Sequence, residues 1–463
     1  MDGSQPLSLE PEQLRRLGYQ VIDRIVEHYA ALDGKPPVRE PDPDWSERSI
    51  PPCPDGPTDP DAAIAYLFDE ILARGQLTNH PRFFARIGAP SNPLSVLADL
   101  AGGGTNVFAG SWVGGAGASA LELAVLDWLR GWMGMPERTE GVLVSGGSVG
   151  TLTALNAAAT ARVPDRAKAT GYISDHTHSA VARAWRTLGF DPANLRTLAS
   201  DAHQRLPHDA TRDAIEADRS HGLQPFVIVA TAGTTSTGAV DPLPQLADLA
   251  QAAKLWLHVD GAYGAPAKLA GAPALEGVEL ADSLVLDPHK WLFQPYEIGC
   301  VLVREPGLLE QAFTLDGDYL RDTASTRVQL RDRGPQLTRG SRALKLWLSL
   351  TVFGLDAFKA AIARGIALAE LAEATLRDRD GWEVVTPAQL AIVCFRRTVA
   401  GLSDAETDAL NDRMVAAAVA DGFAAPSTTI LDGRPVARLC TINPRTTDED
   451  VLATIERLEA LAG

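Results

Sequence analysis

Two charged residues sit where an apolar run stops, and both are equipped for chemistry. The run Ser283–Leu286 leads into Asp287, Pro288, His289 and Lys290, and the run Leu255–Val259 leads into Asp260. In open α/β sheets, ligands bind beyond the carboxyl ends of the strands, so such residues face a crevice rather than a solvated surface. A partly desolvated lysine amine has a lowered pKa and forms Schiff bases with carbonyl compounds. An aspartate facing the same crevice can pair with a protonated pyridine nitrogen. Taken as a lone dyad, Lys290 with Asp260 reads more readily as a structural ion pair.

A third part lies upstream. In VLVSGGSVGTLTALNAAATAR (Val142–Arg162) a strand ends in Ser-Gly-Gly-Ser and a helix begins at once. Gly146 and Gly147 permit the tight turn, and the free N–H groups at the helix start attract an anion such as phosphate, with Ser148 adding a hydroxyl. Taken alone it is also compatible with an ordinary glycine turn. The stretch Gly146–Gly150 also matches the GxSxG nucleophile elbow of hydrolases, for which Asp260 or Asp287 with His289 would complete a triad around Ser148. No HGGG-type segment precedes that serine, and His289 is the last histidine of the chain. Gly115–Ala120 matches GxGxxA, yet no good strand leads into it, and the helix after it, Ala118–Trp132, carries a packing stripe. There is no GxxxxGK[ST] loop and no HExxH zinc motif. Lys290, Asp260 and the Gly147-Ser148 turn together describe a pyridoxal 5'-phosphate (PLP) site, with no metal expected.

These residues need elements to position them. From about Ala62 to Trp347, apolar runs at Gly141–Val144, Thr170–Ile173, Phe226–Ala230, Leu255–Val259, Ser283–Leu286 and Cys300–Val303 alternate with helical patterns such as Leu152–Arg162 and Leu243–Ala253. That alternation predicts a mostly parallel sheet covered on both faces. After a long helical stretch, Ser341–Arg379, strands at Trp382–Val385, Ala391–Arg396, Thr428–Leu431 and Val436–Ile442 with helices at Asp404–Ala420 and Asp448–Leu461 predict a second, smaller α/β domain. At the other end, Glu12–Leu32 forms an amphipathic helix with Leu14, Leu17, Val21, Ile25 and Tyr29 on one stripe. Nine of the 31 prolines follow within Lys35–Pro60, an extended connector. The expected organisation is 1–80 helix and arm, 81–350 large domain, 351–463 small domain.

Composition excludes several classes. With 45% hydrophobic residues among 463 the chain can bury a sizeable core, and its formal net charge of -17 repels nucleic acid and anionic membranes. No apolar run approaches the ~18 residues of a bilayer span. Met1–Leu9 lacks the basic and apolar regions of a secretion signal, and the four scattered cysteines form no CxxC pair. A cytoplasmic enzyme is expected.

The chain resembles the group II PLP-dependent amino-acid decarboxylases of the aromatic-L-amino-acid decarboxylase type. The resemblance runs almost end to end, through NHPRFFARI, LELAVLDWL, SDHTHSAVARAW, ATAGTTSTGAVDPL, LWLHVDGAY, DPHKW and SRALKLW. It implies a fold-type-I, aspartate-aminotransferase-like homodimer with the active site at the interface and the N-terminal arm wrapped around the partner. It also implies that Lys290 is the Schiff-base lysine, that Asp260 pairs with the pyridine nitrogen and that His178 stacks on the cofactor ring. Gly147, Ser148 and Thr235 would bind the phosphate region, with Asp287 and His289 nearby and Ala262 under the ring. Arg86 and Trp112 are candidate substrate contacts.

The chain departs from the family at one telling place. Members carry a loop tyrosine before the SRALKLW helix that reprotonates the α-carbon, and here the ungapped position holds Leu330. Arg86 and Gly110 replace aromatic side chains found in aromatic-substrate enzymes, and Asp287 stands where many animal relatives have asparagine. The leading expectation is decarboxylation of an L-amino acid, more readily an aromatic one, to an amine through a Lys290 Schiff base and a quinonoid. The alternatives are oxygen-using decarboxylation with deamination to an aldehyde, a serine hydrolase acting through Ser148, and an inactive cofactor-binding protein.

Overall fold

The computed structural model describes residues 7–39, 42–163, 165–314 and 326–462. Tyr319 and the first residues of the 322–336 loop lie outside them. Seven strands make the larger sheet: β1 (Glu140–Val144), β2 (Ala169–Ser174), β3 (Leu195–Leu198), β4 (Gln224–Thr231), β5 (Trp256–Asp260), β6 (Ser283–Leu286) and β7 (Gly299–Val303), in the order β1-β7-β6-β5-β4-β2-β3. Only β7 runs against its neighbours; β2 to β6 pair in parallel. The short, partly exposed edge strand β3 is missing from the predicted set, because Leu195–Leu198 carries too little apolar character to stand out.

Successive side chains of a strand point to opposite faces, and here both faces are apolar. Leu143, Ile228, Leu257, Leu284 and Leu302 enter a core shared with the helices Trp112–Trp132 and Leu243–Ala253. Val142, Val227, Trp256, Val285 and Val301 enter a second core beneath the helices Gly147–Arg162 and Ser179–Thr187. Burial on both sides is why these strands read as unbroken apolar runs instead of alternating ones.

The smaller sheet is antiparallel: β8 (Trp382–Gln389), β9 (Ile392–Arg397), β10 (Ser427–Leu431) and β11 (Arg434–Cys440) pair in the order β10-β11-β9-β8. The helices Asp404–Asp421 and Asp448–Leu461 cover it, each started by a capping box, Ser403 with Glu406 and Thr447 with Asp450. Phe84 joins their core from far upstream. The helical stretch expected over Ser341–Arg379 consists of two helices, Ala343–Phe353 and Leu355–Arg377, meeting at 95°. Gly354 makes the corner with φ 77°, a conformation that side chains other than glycine disfavour. Among the described residues no single helix is long and apolar enough to cross a membrane.

Candidate active site

Three strand ends and two helix starts converge on one cavity of about 300 Å3. All nine residues expected to hold a cofactor line it: Gly147, Ser148, His178, Thr235, Asp260, Ala262, Asp287, His289 and Lys290. They come from positions more than 140 residues apart, and the sheet gathers them because its parallel strands end on the same side.

The helix Gly147–Arg162 opens without a side-chain cap, so its first-turn N–H groups have no partner within the helix. They offer hydrogen bonds and the positive end of the helix dipole to an anion. The turn leaves no room for side chains. A Cβ on Gly147 would stand 3.0 Å from the Ala262 Cβ and 3.1 Å from Asp287 Oδ2, and one on Gly146 would stand 3.0 Å from His289 Cε1.

Asp260 ends β5, nearly buried, and its Oδ1 accepts the Ala262 N–H at 3.1 Å. Lys290 lies in the short turn after β6, where its Nζ is 3.1 Å from Asp287 Oδ2. The same oxygen is 3.6 Å from His289 Nε2. His289 Nδ1 accepts the Ile298 N–H at 3.3 Å, and burial lowers its pKa, which keeps the ring neutral. His178 caps the helix Ser179–Thr187; its Nδ1 accepts the Ala180 N–H at 3.2 Å, which fixes the ring's orientation.

Sequence reasoning missed several contributors. Ser145, Val149, Ala180, Thr231, Gly233, Tyr263 and Glu297 also line the cavity. Gly233 carried a signal in its setting, ATAGTT after a strand: its φ is 101° and a Cβ there would meet Tyr263 at 2.9 Å. The small domain also reaches the site. Arg438 Nε donates to the Ser236 carbonyl at 3.2 Å, and the Thr429 hydroxyl donates to Ser236 Oγ at 3.2 Å, steadying the turn that bears Thr235. No local pattern in the sequence marks that clamp.

Arg86 and Trp112 are not in the cavity wall. Arg86 has φ 54° and its N–H donates to Ser427 Oγ, while Trp112 lies under the Arg327 guanidinium at 5.2 Å. Leu330 is fully buried in the large core, within a 3-10 turn over Leu330–Arg333 that is pinned by the Arg331 N–H to the Gly110 carbonyl at 2.9 Å. The position is a packing position, with its side chain turned into the core.

Comparison with known proteins decides the family. The model for the pyridoxal-dependent decarboxylase conserved domain matches residues 53–398. The chain belongs to this family. It is 42% identical to the aromatic-L-amino-acid decarboxylase of Bacillus atrophaeus, over 99% of this chain and 97% of that one. It is 30% identical to the phenylacetaldehyde synthase of Arabidopsis thaliana, over 95% and 94% of the two chains. Among solved structures, that of Oryza sativa TDC with PLP and tryptamine superposes with a TM-score of 0.92 at 27% identity, over 99% of each chain. The fold is accordingly that of the fold-type-I PLP enzymes, and the chain is a PLP-dependent amino-acid decarboxylase, a carboxy-lyase.

The residues present fit PLP. Two buried oxygens on the site residues, Asp287 Oδ1 and Thr231 Oγ1, have no hydrogen-bond partner among the described residues, and the helix start is uncapped where a phosphate needs donors. The hydrolase reading of Ser148 gives way: the serine stands in the first helical turn of an anion site in a PLP family.

Proposed function

We propose that this decarboxylase acts on an aromatic L-amino acid, releasing CO2 and the corresponding amine, with Lys290 as the cofactor-bearing lysine. The observation that carries the site assignment is the convergence of Lys290, Asp260 and the uncapped helix start on one cavity. The substrate class rests on the Bacillus atrophaeus relative, matched across nearly the whole chain.

PLP, when bound, supplies an electron sink for the pair left behind as CO2 departs. The protein's residues do the rest. The N–H groups of Gly147 and Ser148, with Thr235, would bind the phosphate. Ala262 and His178 would hold the ring. The Asp260 carboxylate would keep a proton on the pyridine nitrogen, which an uncharged neighbour would let go. Asp287 holds the Lys290 ammonium close to the cavity wall until the amine is needed, and neutral His289 packs beside them.

The same reading takes the enzyme to be a cytoplasmic homodimer with the site at the subunit interface, organised as 1–80, 81–350 and 351–463. Exposed Leu14, Tyr19 and Val26 on the helix Pro11–Ala30 support it, because a single chain leaves them wet. The test is a screen of the common L-amino acids against the holoenzyme, with CO2, amine, aldehyde and peroxide all measured. Amine and CO2 from aromatic substrates are expected, and CO2 release from acidic substrates alone would overturn the substrate class. Aldehyde and peroxide in place of amine would favour the second reading, which draws on Leu330 at the loop-tyrosine position and on the Arabidopsis thaliana aldehyde synthase.

A further inference from the structure

Decarboxylation to an amine ends with a proton placed on the carbon that CO2 has left, and Leu330 cannot place it. Seven tyrosines are available in the chain. Tyr172 is buried and its hydroxyl donates to Asp218 Oδ2 at 2.8 Å. Tyr263 touches the cavity, but its hydroxyl accepts the Ala391 N–H at 3.1 Å. Tyr29 and Tyr66 hydrogen-bond to Ser91 and Ser49, Tyr19 is exposed on the first helix, and Tyr319 lies outside the described residues. Among the described tyrosines, Tyr296 differs from the rest.

Its ring lies against His289, with centroids 5.1 Å apart and planes at 54°. His289 is the neighbour of Lys290 in the chain, and both approach the same Asp287 oxygen. The next residue, Glu297, is itself part of the cavity wall. The segment carrying Tyr296 is held on either side: buried Gln294 bonds to Ser349, the Pro295 carbonyl accepts from Lys345 Nζ at 3.3 Å, and Glu297 pairs with Arg342 at 2.8 Å. Tyr296 remains 64% exposed, next to the cavity wall and not part of it, and its hydroxyl has no hydrogen-bond partner among the described residues.

We propose that Tyr296 is the catalytic acid that delivers the proton to the carbon vacated by CO2. This rests on the proposed decarboxylation to an amine. The Tyr296 O–H bond breaks, a C–H bond forms with the electron pair of the former carbon–carboxylate bond, and the phenolate recovers its proton from water at the rim. Packing against His289 desolvates part of the phenol and raises its pKa against the opposing pull of the Lys290 and Arg86 cations, so it still carries its proton at neutral pH. The nearby cations then favour the phenolate at the moment it forms.

The test compares holoenzymes of the unmodified chain, Tyr296→Phe and Tyr296→Ala. The unmodified enzyme is expected to give about one amine per CO2. Tyr296→Phe keeps the ring and removes the acid, so amine formation should fall roughly 100-fold or more, in the range of a lost general acid. Aldehyde and peroxide should then account for the CO2 still released. An unchanged amine-to-CO2 ratio in Tyr296→Phe overturns the proposal, as does a rise in KM in Tyr296→Ala with Tyr296→Phe unaffected, which makes the ring a packing surface only. If the unmodified enzyme releases no CO2 from any amino acid, the proposed function fails instead. A second measurement needs neither cofactor nor turnover. In the cofactor-free protein, the Tyr296 phenol, assigned by its loss in Tyr296→Phe, should titrate above 10 and shift further up in Lys290→Met. A midpoint indifferent to Lys290 puts the hydroxyl out of reach of the amine and overturns the proposal.

Discussion

At the scale of single residues, the site works by contrast between neighbours. Asp260 and Asp287 end adjacent parallel strands, β5 and β6, yet they have different partners. Asp260 accepts a backbone N–H, whereas Asp287 holds Lys290 and keeps one oxygen unbonded. The first suits a carboxylate that must stay charged against a ring nitrogen, and the second a carboxylate that lets go of an amine. Lys290→Ala should therefore abolish the borohydride-trapped cofactor adduct, read by mass spectrometry of the tryptic peptides; an adduct on another lysine would reassign the site. Asp260→Asn should keep some cofactor bound while kcat falls by about 100-fold or more, comparable to losing one preorganised electrostatic contact. Near-normal turnover with full cofactor loading would remove Asp260 from its role.

At the scale of elements, β5 shows how a strand aims a functional end by fixing its interior. Trp256 Nε1 donates to Ser283 Oγ at 2.8 Å, and that hydroxyl also meets His258 Nδ1 at 2.8 Å. The hydroxyl thus ties the Trp256 indole and the His258 ring of one strand to the next strand. Complete burial lowers the His258 pKa from an ordinary 6.5 to about 4. A histidine lowered in the fold binds its proton better when unfolded. Its stabilising contribution is then full above pH 6.5 and is lost as pH falls toward 4, at up to about 1.4 kcal/mol per unit. Between pH 6.5 and 5 the unmodified protein should lose about 2 kcal/mol more stability than His258→Asn, measured by urea unfolding at both pH values. The slope is the readout, because the substitution alters the level as well. Equal slopes would show that His258 is not held neutral. The same coupling ties site to scaffold, for His258 is two residues from Asp260 and registers against Ser283 on the neighbouring strand.

At the scale of the whole molecule, the parts left uncovered are as informative as the core. Leu97 and Leu100 on the helix Pro93–Thr105 are exposed together with Val113, and the first helix adds Leu14, Tyr19 and Val26. A dimer that covers these surfaces is the expected state in solution. Val26→Glu should weaken it by 10- to 100-fold in the dissociation constant, since burying a valine is worth about 1.5–3 kcal/mol. Sedimentation equilibrium measures this, and a fully active monomer of the unmodified chain would contradict the arrangement.

Much of this was legible in the sequence because it is local. An apolar run followed by Asp260 or by Asp287-Pro-His-Lys290 records a buried strand and the ligand-facing residue at its end. Gly146-Gly147-Ser148 likewise records a turn into a helix. Six of the seven strands of the large sheet, with Lys290, Asp260 and the Gly147-Ser148 turn, could therefore be read from short windows, and among the strands only the partly exposed β3 escaped; His178, Thr235 and Ala262 came from the family resemblance. Other features were decided by contacts between residues far apart in the chain. The break at Gly354 depends on where the second helix must pack, and helical periodicity continues through it. Leu330 occupies a loop position in the sequence, yet the core takes its side chain in, because an apolar group beside Gly110 is more stable buried than wet. Tyr296 carries no local mark in the sequence; Arg342, Lys345 and Ser349 hold its segment beside the cavity wall. Strand ends are set by periodicity and turn chemistry, which neighbours in the chain determine, whereas the placement of a proton donor is set by packing, which only the folded chain determines.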